Sequence, residues 1–304
     1  MRQSGGQSGI LLIDKPAGLT SHDVVARTRK RAGTRKVGHA GTLDPMATGL
    51  LVLGVNSSTR LLTYVVGLDK EYFATIRLGA STSTDDAEGE FLHEASAERV
   101  ATIEPAAIRA GLDSLSGQIS QVPSSVSAIK VDGKRAYALA RAGANVELAP
   151  RTVMISALEL LDSRSAHGFL DLDVRVECSS GTYIRAIARD LGASLEIGGH
   201  LTALRRTRIG PFSIADATEL ESLDVLASLL GPADVASRLF PVYRLSAVQA
   251  VDLGHGKSLE ATRPVDGDGP VAAISPNGRL VGLVEFSDGV ARPLVNFPAD
   301  EVPA

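Results

Sequence analysis

The sequence predicts an α+β chain in two parts, a large one of mixed strands and helices reaching about residue 240 and a small β-rich one beyond it. Three observations predict this. At 304 residues the chain is longer than one typical domain. Over the first two thirds, runs that alternate apolar and polar residues, such as 70–79, interleave with segments that carry helix start and stop signals. From residue 245 onward, short strand-like runs at 271–274, 280–286 and 291–295 are separated by Gly, Pro, Asn and Asp turns.

Taken in order, GILLID at 9–14 is a short apolar strand, ended by the turn signature Lys15-Pro16-Ala17-Gly18. Thr20 starts a helix: with Asp23 it makes a capping box, Val24 and Val25 begin an apolar stripe, and Gly33 supplies the stop. The exposed face of this helix carries Arg27, Lys30 and Arg31. A loop over 37–49 feeds an apolar strand at 50–53, a short helix at 57–66 and the strand at 70–79. The polar, acidic run 80–90 reads as an exposed turn. A helix at 105–115 precedes a segment of different character at 117–148. We read it as a projecting insertion with a strand pair around 131–133 and a basic helix at 134–142, carrying Lys130, Lys134, Arg135, Tyr137 and Arg141. Strands follow at 152–160 and 170–178, then a helix at about 182–195, a strand at 200–210 and a helical connector at 215–241. There are no internal repeats.

Composition excludes several classes. No apolar run approaches the ~18 residues of a spanning helix, and the polar start of the chain lacks a signal-peptide core, so a soluble, cytoplasmic protein is expected. The single cysteine, Cys178, lies in an alternating apolar run and reads as a buried, inert thiol. The six histidines are scattered, so no metal site is expected. Neither a GxxxxGK[ST] nor a GxGxxG phosphate loop is present. The net charge is −4, unevenly spread: residues 1–50 hold eight basic and three acidic side chains, whereas 251–304 hold four and eight. Such a balance fits a protein that offers one basic face to a polyanion, or simply a solvated helix face.

Residues 37–49, VGHAGTLDPMATG, set one carboxylate and one imidazole in a run of small residues. Pro45 restricts Asp44 to extended conformations, and the following strand gives the loop a rigid base. Asp44 is thus either an active carboxylate or the cap of a tight turn. Tyr72 is either a pocket residue or a half-buried packing tyrosine. Arg185 falls in the first turn of its helix, where a cation opposes the helix dipole unless a carboxylate partners it. Arg205, in the basic triplet of the 200–210 strand, suits phosphates or the surface.

Six collinear blocks complete the pattern: GILLIDKPAGLTSHDVV, KVGHAGTLDPMATGLLVLG, KEYFATIRLG, QVPSSVSAIKVDGKRAYALARAG, CSSGTYIRAIARDLG and HLTALRRTRIGPF. Over residues 9–213 they resemble the TruB-type tRNA pseudouridine-55 synthases. The resemblance implies a pseudouridine synthase fold, a mixed and largely antiparallel sheet flanked by helices. It implies a catalytic domain at 9–240 with a thumb insertion at about 117–148, and a PUA-like domain at 241–304. The implied reaction is isomerisation of one uridine in the tRNA T loop after base flipping, with no cofactor, no protein partner and a monomeric enzyme. Asp44 matches the catalytic aspartate, Arg185 the arginine that pairs with it, and Tyr72 the tyrosine that stacks on the base. His39 matches the histidine that fills space left by flipped bases, and Tyr183 and Leu204 the pocket walls. Lys15, Lys130, Arg141 and Arg205 are expected to contact the RNA. A non-catalytic tRNA-binding or folding helper is the alternative, and an RNA-guided relative that needs partner proteins is a third. The acidic tail argues that the catalytic domain dominates RNA binding.

Overall fold

The computed structural model describes residues 7–124, 130–131, 134–135, 148–261 and 268–298. They form two compact units, one from residues 1–45, 49–66 and 211–304 and the other from 46–48 and 67–210.

The first unit begins with strand β1 (Gly9–Lys15) and helix α1 (Ser21–Ala32). The capping box is complete: the Thr20 side chain accepts from Asp23 N, and the Asp23 carboxylate accepts from Thr20 N at 2.9 Å. Gly33 ends the helix in the left-handed conformation at φ 62°, the geometry for which glycine carries no Cβ penalty. Strand β2 (Val37–His39) and strand β3 (Thr48–Val55) follow, then a 3-10 turn at Asn56–Leu61 and helix α2 (Leu62–Val66). β3 pairs antiparallel with β1 from Gly9↔Val55 to Lys15↔Gly49, and with β2 from Val37↔Val55 to His39↔Leu53. Leu11, Ile13, Val24, Val25, Val37, Leu51 and Leu53 form one core between α1 and these strands. The β1–α1 turn and the loop after β2 therefore project from a rigid base.

The second unit holds strand β4 (Lys70–Leu78), a hairpin of β5 (Ala80–Thr82) and β6 (Phe91–Glu94), and helices α3 (Ala97–Ala101) and α4 (Pro105–Ser114). Strand β7 (Gly117–Gln121) and the two-residue pair β8 (Lys130–Val131) and β9 (Lys134–Arg135) come next. Long strands β10 (Arg151–Ala166) and β11 (Phe169–Cys178), helix α5 (Ile184–Ser194) and strand β12 (Gly199–Ile209) complete it. The sheet runs β12-β4-β11-β10-β7, antiparallel throughout. Its buried face is the period-two stripe Tyr72, Ala74, Ile76 and Leu78 of β4 with Leu172, Val174 and Val176 of β11.

Three expectations change here. Residues 80–90 are not merely an exposed turn: a hairpin brings Thr82 and Asp86 inside, where both are buried. Residues 117–121 belong to the sheet, so the insertion starts only after Gln121. The strand pair around 131–133 is present, and Lys134 and Arg135 lie in it rather than in a helix. The rest of the expected basic helix lies outside the described residues.

The chain then returns to the first unit through β13 (Phe212–Ser213), β14 (Thr218–Glu219), helices α6 (Val225–Ser228) and α7 (Pro232–Leu239), and β15 (Val242–Arg244). β14 pairs parallel with β1 at Ile13↔Thr218 and Asp14↔Glu219. Helix α8 (Ala247–Gly254), β16 (Leu259–Glu260), β17 (Val271–Ile274), β18 (Leu280–Ser287) and β19 (Val290–Asn296) form the C-terminal part. Its sheet is ordered β15-β17-β18-β19-β16. The β-rich part also holds helix α8, which a Ser246/Gln249 capping box starts and whose Ala250 and Leu253 enter the core beneath the sheet.

Candidate active site

In the first unit the chain fastens the peptide groups on both sides of Asp44. The hydroxyl of Ser21, the first residue of α1, accepts from Leu43 N at 2.9 Å and donates to the Leu43 carbonyl at 3.2 Å. On the other side, Gly18 N donates to the Pro45 carbonyl at 2.8 Å, and the Lys15 ammonium reaches the same oxygen at 3.2 Å. Lys15 was expected to meet RNA. It is instead 0% exposed, and it also donates to the carbonyls of Pro16 and Leu19 at 2.9 and 2.6 Å. Three carbonyl acceptors are what a buried ammonium needs to offset lost hydration. Lys15 thus holds the loop, and Asp44 stands half-buried between two fixed neighbours. His39, at the end of β2, packs edge-to-face against His22 of α1 with ring centroids 5.5 Å apart.

The basic face of α1 is exposed, as expected, and three of its arginines are tied to neighbours. Arg27 pairs with Glu221 at 3.1 Å, Arg31 donates to the Leu220 and Glu221 carbonyls, and Arg29 to that of Val37 at 2.9 Å.

In the second unit the register of β4 and β12 gathers a second group. Tyr72 lies opposite Arg206 and Leu204 opposite Ala74, so Tyr72, Leu204 and Arg206 share one face of the sheet. Arg205 lies opposite Phe73 on the other face, where its guanidinium is 3.4 Å from the Thr48 hydroxyl. The structure therefore does not bring Arg205 together with Tyr72. Its neighbour Arg206, missed in the sequence, is only 1% exposed. Lys70, two residues before Tyr72 on the same face, has its pKa lowered to about 8 by burial and, next, by the charge of Arg206.

Arg185 sits in the first turn of α5 and is 4% exposed. Its guanidinium donates to the Thr84 carbonyl at 2.8 Å and pairs with the Asp86 carboxylate at 3.3 Å. Asp86 is held in turn by the Thr84 hydroxyl at 2.5 Å and the Glu88 N–H at 3.1 Å. The cation at a helix start thus has the carboxylate that the helix dipole demands. No sequence pattern marks this partner, because Asp86 comes from the run that reads as an exposed turn. Tyr183 is the N-cap of α5, and its backbone groups are bonded by the side chain of Gln121. Lys130 falls in β8, with only its backbone described, and Arg141 lies outside the described residues. Among the described residues no group of three His, Cys, Asp or Glu side chains could hold a metal ion. Nor is any helix among them long and apolar enough to cross a membrane.

Comparisons with known proteins agree along the chain. Residues 29–184 match the family model described as TruB family pseudouridylate synthase, N-terminal domain. Residues 185–236 match the tRNA pseudouridylate synthase B C-terminal domain, and 240–298 the C-terminal model of tRNA pseudouridine synthase II. The tRNA pseudouridine synthase B of Leifsonia xyli is 60% identical over 97% of this chain and 98% of its own. That of Thermobifida fusca is 51% identical over 95% and 98%. Among solved structures, a Cbf5–Nop10–Gar1 complex superposes with a TM-score of 0.71 at 23% identity, covering 99% of this chain and 88% of the other. This last likeness carries the fold alone: the mixed pseudouridine synthase sheet with a β-rich C-terminal domain. With matching models along most of its length and full-length relatives above half identity, the chain belongs to the TruB family and is a tRNA pseudouridine synthase, an isomerase.

Proposed function

We propose that the chain isomerises uridine 55 in the T loop of tRNA to pseudouridine, as a cytoplasmic monomer and without a cofactor. The N1–C1′ bond breaks, C5 bonds to C1′, the C5 proton leaves and N1 takes one up, so atoms and electrons balance within the nucleotide. The observation that carries this reading is the double fastening of the Asp44 loop, through Ser21 on Leu43 and through Lys15 and Gly18 on Pro45. A capping aspartate needs no such bracing, whereas a reacting carboxylate needs its position fixed to a fraction of an ångström.

In this reading Asp44 presents an ionised carboxylate beside C1′, and Arg185 keeps it charged, because a nearby cation favours the anion in a partly desolvated site. Tyr72 covers the flipped base on the face it shares with Leu204. Tyr183 forms a further wall, and His39 fills the space that the flipped bases leave. Lys130, Arg141 and Arg205 meet phosphates, and Lys15 acts on the substrate only through Pro45. Function divides near residue 240, with 9–240 catalytic, the insertion gripping RNA, and 241–304 supporting it.

The test is release of tritium from uridine labelled at C5 in unmodified tRNA or a T-stem-loop. Wild type releases the label, and Asp44→Asn lowers the rate by more than about 10³-fold while still binding RNA, as expected for loss of a covalent or acid–base group. Normal turnover by Asp44→Asn overturns the assignment. No turnover by wild type, with tRNA remodelling intact, leaves the folding-helper reading.

A further inference from the structure

The last residue of β7, Gln121, is 1% exposed and directs its amide at a single residue. Its Nε2 donates to the Tyr183 carbonyl at 3.0 Å, and its Oε1 accepts from the Tyr183 N–H at 2.8 Å. The side chain thus copies the two-bond exchange of an antiparallel pair. Tyr183 caps α5 without any side-chain hydrogen bond of its own to the helix, so the chain entering this helix is fixed from outside. A strand end that needed only volume would be filled by Leu or Met, since a buried amide is costly unless both its groups are paired. The next residue adds a second tie: Arg189, one turn beyond Arg185, donates to the Val122 carbonyl at 2.8 Å and pairs with Asp85 at 3.3 Å.

Two consecutive residues, at the point where the insertion leaves the sheet, therefore hold the first two turns of α5. Arg185 stands in those turns, its guanidinium set against Thr84 and Asp86. We propose that Gln121 is a positioning residue for the isomerisation, holding Tyr183 and through it Arg185 in the working geometry. This rests on the roles proposed above for Tyr183 and Arg185. Displacement of a catalytic constellation by about an ångström lowers turnover by about 10²-fold, so the amide acts on rate rather than on RNA affinity.

The experiment compares Gln121→Met, which keeps the volume and loses both bonds, with Gln121→Glu, whose carboxyl, held neutral by burial, can still accept from the Tyr183 N–H and donate one O–H to its carbonyl. Turnover and KM for a T-stem-loop are measured at a temperature where circular dichroism shows each variant fully folded. Gln121→Met is expected to lower kcat by about 10- to 100-fold, and Gln121→Glu by less, with KM changed under about threefold. In an Arg185→Lys background Gln121→Met is expected to add under about twofold, because residues acting through one another are not additive. Wild-type kcat in both folded variants, or full additivity with Arg185→Lys, overturns the proposal. If Gln121→Met does not fold, Gln121→Glu is judged by the same two criteria. Failure of the reading beneath it has a different signature, wild-type turnover by Arg185→Lys or none by the wild type.

Discussion

Lys70 and Cys178 lie opposite each other where β4 and β11 pair, and they couple stability to pH with opposite signs. Burial lowers Lys70 from 10.5 to about 8, so between pH 8 and 10.5 the unfolded chain binds the extra proton and this site's contribution rises with pH. Burial raises Cys178 from 9.0 to about 11, so between pH 9 and 11 the folded chain binds the extra proton and that contribution falls. Urea midpoints at pH 8, 9 and 10 separate the two. Lys70→Met removes the rise and leaves the Cys178 fall, whereas Cys178→Ala leaves the rise alone. Parallel profiles for Lys70→Met and wild type would sink this account. The inert character of Cys178 was legible in the sequence, because alternation alone buries it. The depressed Lys70 was not, since its burial and the adjacent Arg206 follow from register between strands distant in sequence.

The same contrast holds for whole elements. Helix α1 was legible to the residue because Thr20, Asp23 and Gly33 act within a few positions of one another. Helix α5 was legible as a helix but not in what it holds, because its partners Thr84, Asp85, Asp86, Gln121 and Val122 come from two other segments. Its placement depends on close backbone approach. A Cβ on Gly192 would overlap the backbone at Gly198 and Gly199, where the chain turns into β12. Gly192→Ala is therefore expected to cost about 2–4 kcal/mol in chemical denaturation, since no flexible side chain can give way. Asp86→Asn is expected to act at the other end of the helix. It removes the Asp86 charge from beside the buried Arg185 guanidinium, at up to about 3 kcal/mol, and turnover should fall by at least about tenfold. A variant with wild-type kcat and an unchanged unfolding midpoint would show that the pair is incidental.

At the scale of the chain, the boundary drawn at residue 240 and the compact units do not coincide. Residues 1–45 and 49–66 cluster with 211–304. Within that unit Ile10 exchanges backbone hydrogen bonds with Leu230, the Tyr64 and Phe240 rings meet edge-to-face at 5.1 Å, and Arg60 donates to the Asn296 carbonyl. Helix α7, whose Val235 and Ala236 are fully buried, lies against both β1 and β17. The segment that carries Asp44 is thus braced by residues more than 160 positions later, a relation that no local pattern encodes. Removal of 241–304 strips one side of α7 and the anchor of Arg60, so the truncated chain should unfold several degrees lower, as loss of about 1 kcal/mol already shifts a midpoint by 2–4 °C in a protein of this size. The removed part carries net negative charge, so it adds little to attraction for a polyanion. At a temperature where the truncated chain remains folded, its KM for tRNA should stay within about threefold of wild type, with the same slope against salt concentration. A much weakened KM with a shallower salt slope and an unchanged midpoint would instead make the C-terminal domain an RNA-binding element rather than a brace for the Asp44 segment.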